Sequence, residues 1–298
     1  QAPWLCHLNQ LGYISKAITK LSSLRDNSAQ TDKLENTPDI IAKVLNTALQ
    51  QQADDLLQSL PQTKPALNNQ AHTLQFVSQN ALPEGEAYES FIGTTGNIPT
   101  RDNLHDLFNG SIWLTFPKTK ALLNYYHMLE INQQGIGASR GRVRDTITVF
   151  DENGAILVTA ESSIGEALID FDWQASLVAP RDKWDKPQAL NSDSQAAVYI
   201  FGHALLEKLL QPRKAICAHS IVINVTPDFF ALSLSERISH LDKRVADYME
   251  ALLSQSDVTP RKLSPLPILG VPHFWAENAN SSFYDDSQVF RSGRRRQK

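Results

Sequence analysis

Residues 142–159 read RVRDTITVFDENGAILVT, two runs rich in β-branched residues separated by Asp151-Glu152-Asn153-Gly154. Asn-Gly accepts positive φ at both positions, so it is the strongest short-range hairpin signal in the chain. Thr146, Thr148 and Phe150 alternate with Ile147 and Val149, and Ile156 to Thr159 continue beyond the turn. The stretch predicts a hairpin, and with it a sheet. As a strand it projects Arg140, Arg142 and Arg144 to one face and Asp145 to the other. These arginines either grip phosphate or carboxylate or form ion pairs with the chain's own acids. Gly135 to Gly141, just before them, reads as a flexible link.

Working outward, Leu74 to Ser78 reads as a short strand, and Val198 to Phe201 as another that runs through Gly202 into a helix, His203 to Leu210. His219 to Val225 is almost uninterruptedly apolar, as expected of a strand buried on both faces. Helices are expected at 10–24, at 36–60 with Thr37 as N-cap and Pro38 in the first turn, at Ile164 to Leu177 and at Leu234 to Leu253. Residues 61–73 are a polar loop. From Leu263 the chain is rich in Pro and aromatic residues and reads as an extended arm anchored by Phe274, Trp275, Tyr284 and Phe290, ending in a disordered Arg294 to Arg296. The expected fold is α+β: a small mixed or antiparallel sheet flanked by helices. A helical region, 1–73, packs on a core domain, 74–298, in one continuous domain.

The densest polar cluster lies at 96–127, GNIPTRDNLHDLFNGSIWLTFPKTKALLNYYH. Pro99 keeps Ile98 extended, and Thr100 or Asp102 is placed to cap a helix from about Arg101. Leu104, Leu107, Phe108, Ser111 and Ile112 form its apolar stripe. Asp102, His105, Asp106, Asn109 and Trp113 share the other face at steps of three and four. Asp, Asn, His and Trp are poorer helix formers than the Lys, Glu and Gln of an ordinary wet face, by up to about 0.7 kcal/mol each. Either they form a site, or His105 and Asn109 bond a neighbouring loop while Asp102 caps. Pro117 opens the next helix, with Leu122, Leu123, Tyr126 and Leu129 as its expected buried side.

With 298 residues and 42% hydrophobic content the chain can bury a large core. No run reaches the roughly 18 apolar residues of a membrane span, and QAPWLCHLNQLGY lacks the basic and apolar regions of a signal peptide. A cytoplasmic location is expected. Cys6 and Cys217 form no CxxC pair and cannot supply a cysteine-type zinc site; Cys217 is expected in the core. A net charge of −4 argues against nucleic acid or acidic lipid as a partner. No P-loop, GxGxxG, HExxH or GxSxG pattern occurs.

Five blocks carry a family resemblance: YESFIGTTGNIPTRDNLHDLFNGSIWLTFPKTKALLN, RGRVRDTITVFDENGA, FGHALLEKLL, PLPILGVPHFW and FYDDSQVFR, in that order over roughly residues 88 to 291. Together they resemble the bacterial domain of unknown function 3025 family. The resemblance marks Tyr88, Glu89, Pro99, Arg101, Asn103, His105, Asp106, Phe108, Asn109, Trp113, Pro117, Lys120 and Asn124. It also marks Arg144, Asp145, Asp151, Glu152, Gly154, Gly202, His203, Glu207, Pro272, Tyr284, Asp285, Phe290 and Arg291. A glycine often follows the family's Gly-Val-Pro, where this chain has His273. The family implies no activity.

Two functions follow from the residues. The first is a hydrolase, metal-assisted or working by direct acid and base chemistry, in which His105, Asp106 and His203 converge with one acid among Glu207, Asp145 and Asp285. Its catalytic set is His105, Asp106, Asn109, Asp145, His203 and Glu207. A divalent ion would sit on His105, Asp106 and His203. Arg101, Lys120, Arg142 and Arg144 with Trp113 would hold a small anionic, phosphoester-like substrate. The second is a binding or adaptor protein in which the same groups form a rigid buried network.

Overall fold

The computed structural model describes residues 2–8, 12–28, 39–52, 74–134 and 141–293. Its helices are α1 (Tyr13–Ser28), α2 (Ile40–Gln51), α3 (Tyr88–Thr95), α4 (Leu104–Thr115), α5 (Pro117–Gln134), α6 (Arg142–Asn153), α7 (Ser162–Ile169), α8 (His203–Lys208) and α9 (Leu234–Leu253). The strands are β1 (Gln75–Ser78), β2 (Asn97–Thr100), β3 (Gly154–Thr159), β4 (Ala196–Ile200), β5 (Cys217–Asn224) and β6 (Ser264–Pro267). The fold is α+β, with helices flanking small sheets. Thr37, Pro38, the 61–73 loop, the link at 135–140 with Arg140, and Arg294 to Arg296 lie outside the described residues.

The chain divides into two compact units, 1–7 with 148–245 and 256–298, and 8–147 with 246–255. The first holds the four-stranded mixed sheet, in the order β4-β3-β5-β6. β3 pairs parallel with β5 and antiparallel with β4, and all six of its residues are buried because both edges and both faces are covered. The strand buried on both faces is therefore β3 and not β5, where His219 and Val222 stay half-buried and Cys217 is exposed. Edge strand β6 carries Pro265 and Pro267, which lack the N–H that an open edge would offer. It also puts regular structure into the arm, where Phe274, Phe283 and Phe290 are buried while Trp275 and Tyr284 are half-buried.

The expected hairpin at 142–159 is a helix followed directly by a strand. Val143, Ile147 and Phe150 recur at steps of four and three, so the same residues satisfy a helical stripe as well as an alternating one. Burial of Thr146, Ile147 and Phe150 chose the helix, and the ring of Phe150 stacks on Phe201 at 4.7 Å. Gly154 is needed for space, since an added Cβ would lie 2.3 Å from the carbonyl oxygen of Phe150. On a helix, residues two apart point about 200° apart. The shared arginine face therefore does not form: Arg142 is exposed and Arg144 half-buried.

Helix α9 begins at Leu234, as expected, and the structure adds a capping box at its start. Glu236 Oε2 accepts from the Ser233 N–H at 2.9 Å and the Ser233 hydroxyl at 2.6 Å. Below its first turn Arg237 is fully buried, donating to Asp185 Oδ2 at 2.6 Å, to Leu232 O at 3.1 Å and to Phe230 O. Asp185 also accepts from Asn191 N and Ser194 Oγ, both at 3.2 Å. One buried carboxylate thus anchors a helix and the 185–194 loop.

In the helical unit β1 and β2 pair in parallel, Phe76 opposite Ile98. The side-chain amide of Asn46 on α2 donates to Phe76 O at 2.7 Å and accepts from Phe76 N at 2.9 Å, satisfying the main chain as another strand would. Gly110 of α4 lets α2 approach, since a Cβ there would meet Leu45 Cδ1 at 2.2 Å.

Candidate functional site

Helix α4 starts at Leu104 rather than near Arg101, and its cap is Asn103, whose Oδ1 accepts from Asp106 N at 2.7 Å. Neither Thr100 nor Asp102 caps it. The Thr100 hydroxyl bonds Ile98 O at 2.9 Å, and Asp102 Oδ1 accepts from Ile41 N at 2.8 Å, in the first turn of α2. The second face is not wet: Asp106 and Trp113 are buried, whereas Leu104, expected inside, is half-exposed.

Asp106 takes Arg101 as a fork, Nε at 3.0 Å and Nη2 at 2.9 Å, and also accepts its main-chain N–H at 2.7 Å. The hydrogen bonds to Asp106 raise the pKa of the Arg101 guanidinium, with Tyr88 contributing. One turn along, Asn109 donates to the Tyr88 hydroxyl at 3.1 Å and accepts from Lys120 Nζ at 3.0 Å. Lys120 Nζ lies 5.4 Å from the centre of the Trp113 ring. Asn124 donates to Glu89 through Glu89 O at 2.8 Å and Oε2 at 2.7 Å.

These bonds explain the buried side of α5. It is Thr119, Lys120, Leu123, Asn124 and His127, not the expected apolar row; Leu122, Tyr126 and Leu129 are only half-buried. Gly93 lets α3 lie close on this face, since a Cβ there would fall 1.7 Å from Met128 Sδ.

In the sheet unit, the turn after α6 and the turn after β4 press together. Gly154 O accepts from Phe201 N at 3.0 Å and Gly202 N at 2.8 Å. A Cβ on Gly202 would lie 2.5–2.6 Å from main-chain atoms of Glu152, Asn153 and Gly154. This contact sets buried His203 with Nδ1 3.7 Å from Asp151 Oδ2. The carboxylate beside it is Asp151; Glu207 is exposed, as is Leu210 beyond the end of α8. Lys208 Nζ bonds Asn153 Oδ1 at 2.7 Å, and His219 stands opposite Gly154 on β5. Burial, and then Lys208, lower the His219 pKa.

His7, Trp184, Asp185, Tyr199 and Phe274 line a recess of the same unit. The ring of buried His7 bonds Ile200 O at 2.8 Å, and burial lowers its pKa to about 4. Nearby His273 has φ 67.

The expected site residues fall in both units. His105, Asp106, Asn109, Asp145, Arg101, Lys120, Trp113, Arg142 and Arg144 belong to the helical unit, and His203 and Glu207 to the sheet unit. Asp145 and Asp285 are exposed. Among the described residues, no group of three or more His, Cys, Asp or Glu side chains is arranged to hold a metal ion, and no helix is long and apolar enough to cross a membrane. Sequence reasoning missed Asn103 as the cap and Lys208, Asn153 and His219 at the sheet end. Only the Asn-x-x-Asp spacing at 103–106 carried a local signal.

A family model described as a protein of unknown function (DUF3025) matches residues 74–294. No curated protein and no solved structure matches the chain. The matched span holds both the Arg101–Asp106–Asn109–Lys120 network and the His203–Asp151 turn, and on that match the chain belongs to the DUF3025 family.

Proposed function

We propose that this chain is a binding protein, in which the polar residues marked by the family hold a surface rigid rather than turn over a substrate. The supporting observation is that Asp106, the carboxylate expected to act as acid, base or ligand, spends both oxygens on Arg101. Asn109 is likewise committed, to Tyr88 and Lys120. A network satisfied in this way favours one conformation of the core. A cytoplasmic location goes with this reading, since Cys6 and Cys217 are both free thiols. The test is a thermal-shift series with divalent metals on wild type, His105→Ala and His203→Ala, alongside a panel of phosphate mono- and diesters. The reading expects ester turnover at background and no metal shift common to His105 and His203. A shift that both variants abolish would overturn it, because a shared site stabilises by mass action.

The second reading, a hydrolase working by general acid and base catalysis, draws support from the His203–Asp151 pair at a strand-to-helix turn, with Nδ1 and Oδ2 3.7 Å apart. Ester turnover lost in both His203→Asn and Asp151→Asn, with folding kept, would establish it over the first.

A further inference from the structure

Within the sheet unit, residues 2–7 are a separate piece of chain. Residues 1–7 belong to that unit, but 8–147, which follow them, belong to the helical one, and the sheet unit resumes at Thr148. The segment therefore sits on its neighbours there by non-covalent contacts, as a bound peptide would. It lies outside the 74–294 span of the family match, whereas the surface that receives it lies inside.

The shape of the segment follows from its sequence. Pro3 opens a single 3-10 turn, Pro3–Leu5, in which Leu5 N donates to Ala2 O at 3.0 Å and Cys6 N to Pro3 O at 3.3 Å. Such a turn puts residues three apart on one face. Trp4 and His7 share that face, and both are buried. The ring of Trp4 lies 6.3 Å from that of Phe274. The His7 ring donates through Nε2 to Ile200 O at 2.8 Å and stands edge-on to Tyr199 at 5.6 Å. An aromatic anchor and a ring N–H three residues later are the contacts by which a short peptide is recognised in a groove.

The fit of the segment is incomplete. A recess remains whose lining is shared between the segment, through Pro3, Cys6 and His7, and the surface that receives it, through Trp184, Tyr199 and Phe274. The one carboxylate in that lining, Asp185, is paired with Arg237 at 2.6 Å. The groove thus presents aromatic and aliphatic contact rather than charge.

We propose that this groove, between Tyr199 and Phe274, recognises a short uncharged peptide segment with an aromatic residue three positions before a side-chain N–H donor. Residues 2–7 are its resident ligand, which a partner segment of the same chemistry displaces. The proposal deepens the binding-protein reading and rests on it, by naming the class of partner. Tethering gives the resident segment a high effective concentration, so the full chain holds the groove closed and a partner must compete. The space that residues 2–7 leave unfilled is where a partner gains the extra contact.

The experiment uses the full chain in reducing buffer and a fluorophore-labelled synthetic peptide of residues 2–7, APWLCH, followed by anisotropy. Trp4→Ala/His7→Ala, which loosens the resident segment, should bind the peptide saturably and at least tenfold more tightly than wild type does. Trp4→Ala alone, the milder change, should bind with intermediate affinity, and it keeps the test decisive if the double variant does not fold. A peptide carrying Trp4→Ala should bind the double variant at least tenfold more weakly. Adding Phe274→Leu to the chain should weaken binding of the native peptide several-fold. Binding to neither variant, equal binding to wild type and variants, or binding indifferent to the tryptophan of the peptide overturns the site. The binding-protein reading then stands for another ligand, whereas that reading itself falls on ester turnover by wild type, which is measured separately.

Discussion

Asp102 Oδ1 accepts the main-chain N–H of Ile41 at 2.8 Å, so the first turn of α2 is capped by a residue from the approach to α4. Asp39, the residue before α2, has φ 48 and makes no cap bond with its own side chain. A helix end left without a partner costs about 1 kcal/mol. Asp102→Ala should therefore lower unfolding free energy by about 1–2 kcal/mol, and Asp102→Asn, which keeps an acceptor, by less than half of that. Chemical denaturation checks both; equal losses would assign the effect to charge rather than to the cap.

Gly202→Ala should destabilise by at least about 2 kcal/mol, because the new Cβ meets main-chain atoms at 2.5–2.6 Å that have no rotamer to move away. Gly85→Ala is an informative contrast. Gly85 has open space around it but φ 81, so its cost is conformational and of order 1 kcal/mol.

Arg237→Met leaves Asp185 buried at the head of its loop without its cation, at a cost of about 3–5 kcal/mol. The double variant with Asp185→Leu should fall well short of the sum of the two single losses, since the second change removes the stranded charge. A double-mutant cycle by urea denaturation measures this; additive losses would refute the pair as a unit.

His7 gives the fold a pH dependence whose sign can be worked out. Burial lowers its folded pKa from 6.5 to about 4. The unfolded chain therefore binds the proton first, and stability is complete above about 6.5. It declines as pH falls from there to about 4, by up to about 3 kcal/mol. The pKa values of His219, His240 and His273 are also lowered, mainly by burial, and contribute with the same sign. His7→Gln should flatten the decline between pH 6.5 and 4 in a denaturation series. A slope as steep as wild type would place the effect at the other histidines.

His273 has φ 67, a conformation that costs a side chain with a Cβ roughly 1 kcal/mol. Glycine fits that backbone without strain. His273→Gly should therefore keep or raise stability, by up to about 1 kcal/mol, whereas replacement by a β-branched residue should lower it. A lower melting temperature in the glycine variant would mean that the imidazole contributes more than its strain costs.

Much of the architecture was legible before any coordinates. The bounds Leu234–Leu253, the strand at 75–78 and the passage from a strand through Gly202 into a helix at His203 all emerge from periodicity and turn residues. The polar cluster around α4 was legible as a cluster, because Asp, Asn, His and Trp are a costly choice for a helix face. Its pairings were not. Nothing local says that Asp106 holds Arg101, that Asn109 links Tyr88 to Lys120, or that His203 faces Asp151.

The sequence by itself determined several of the boundaries of regular structure, such as Leu234–Leu253 and the strand-to-helix passage at Gly202, because turn residues and hydrophobic period act within a few residues of main chain. The family blocks are read at the same level. Tertiary structure decided what the local pattern left degenerate. The 142–153 segment fits both a strand and a helix, and its burial against Phe201 selected the helix. Asp102 has the chemistry of a cap, and only the approach of α2 determines which helix it caps. Lys120 and Asn124 look like surface residues until α3 and α4 bring partners that satisfy them. The physical reason is common to all three. Desolvation and hydrogen-bond satisfaction depend on segments distant in sequence, and their energies exceed the tenths of a kcal/mol that separate local propensities.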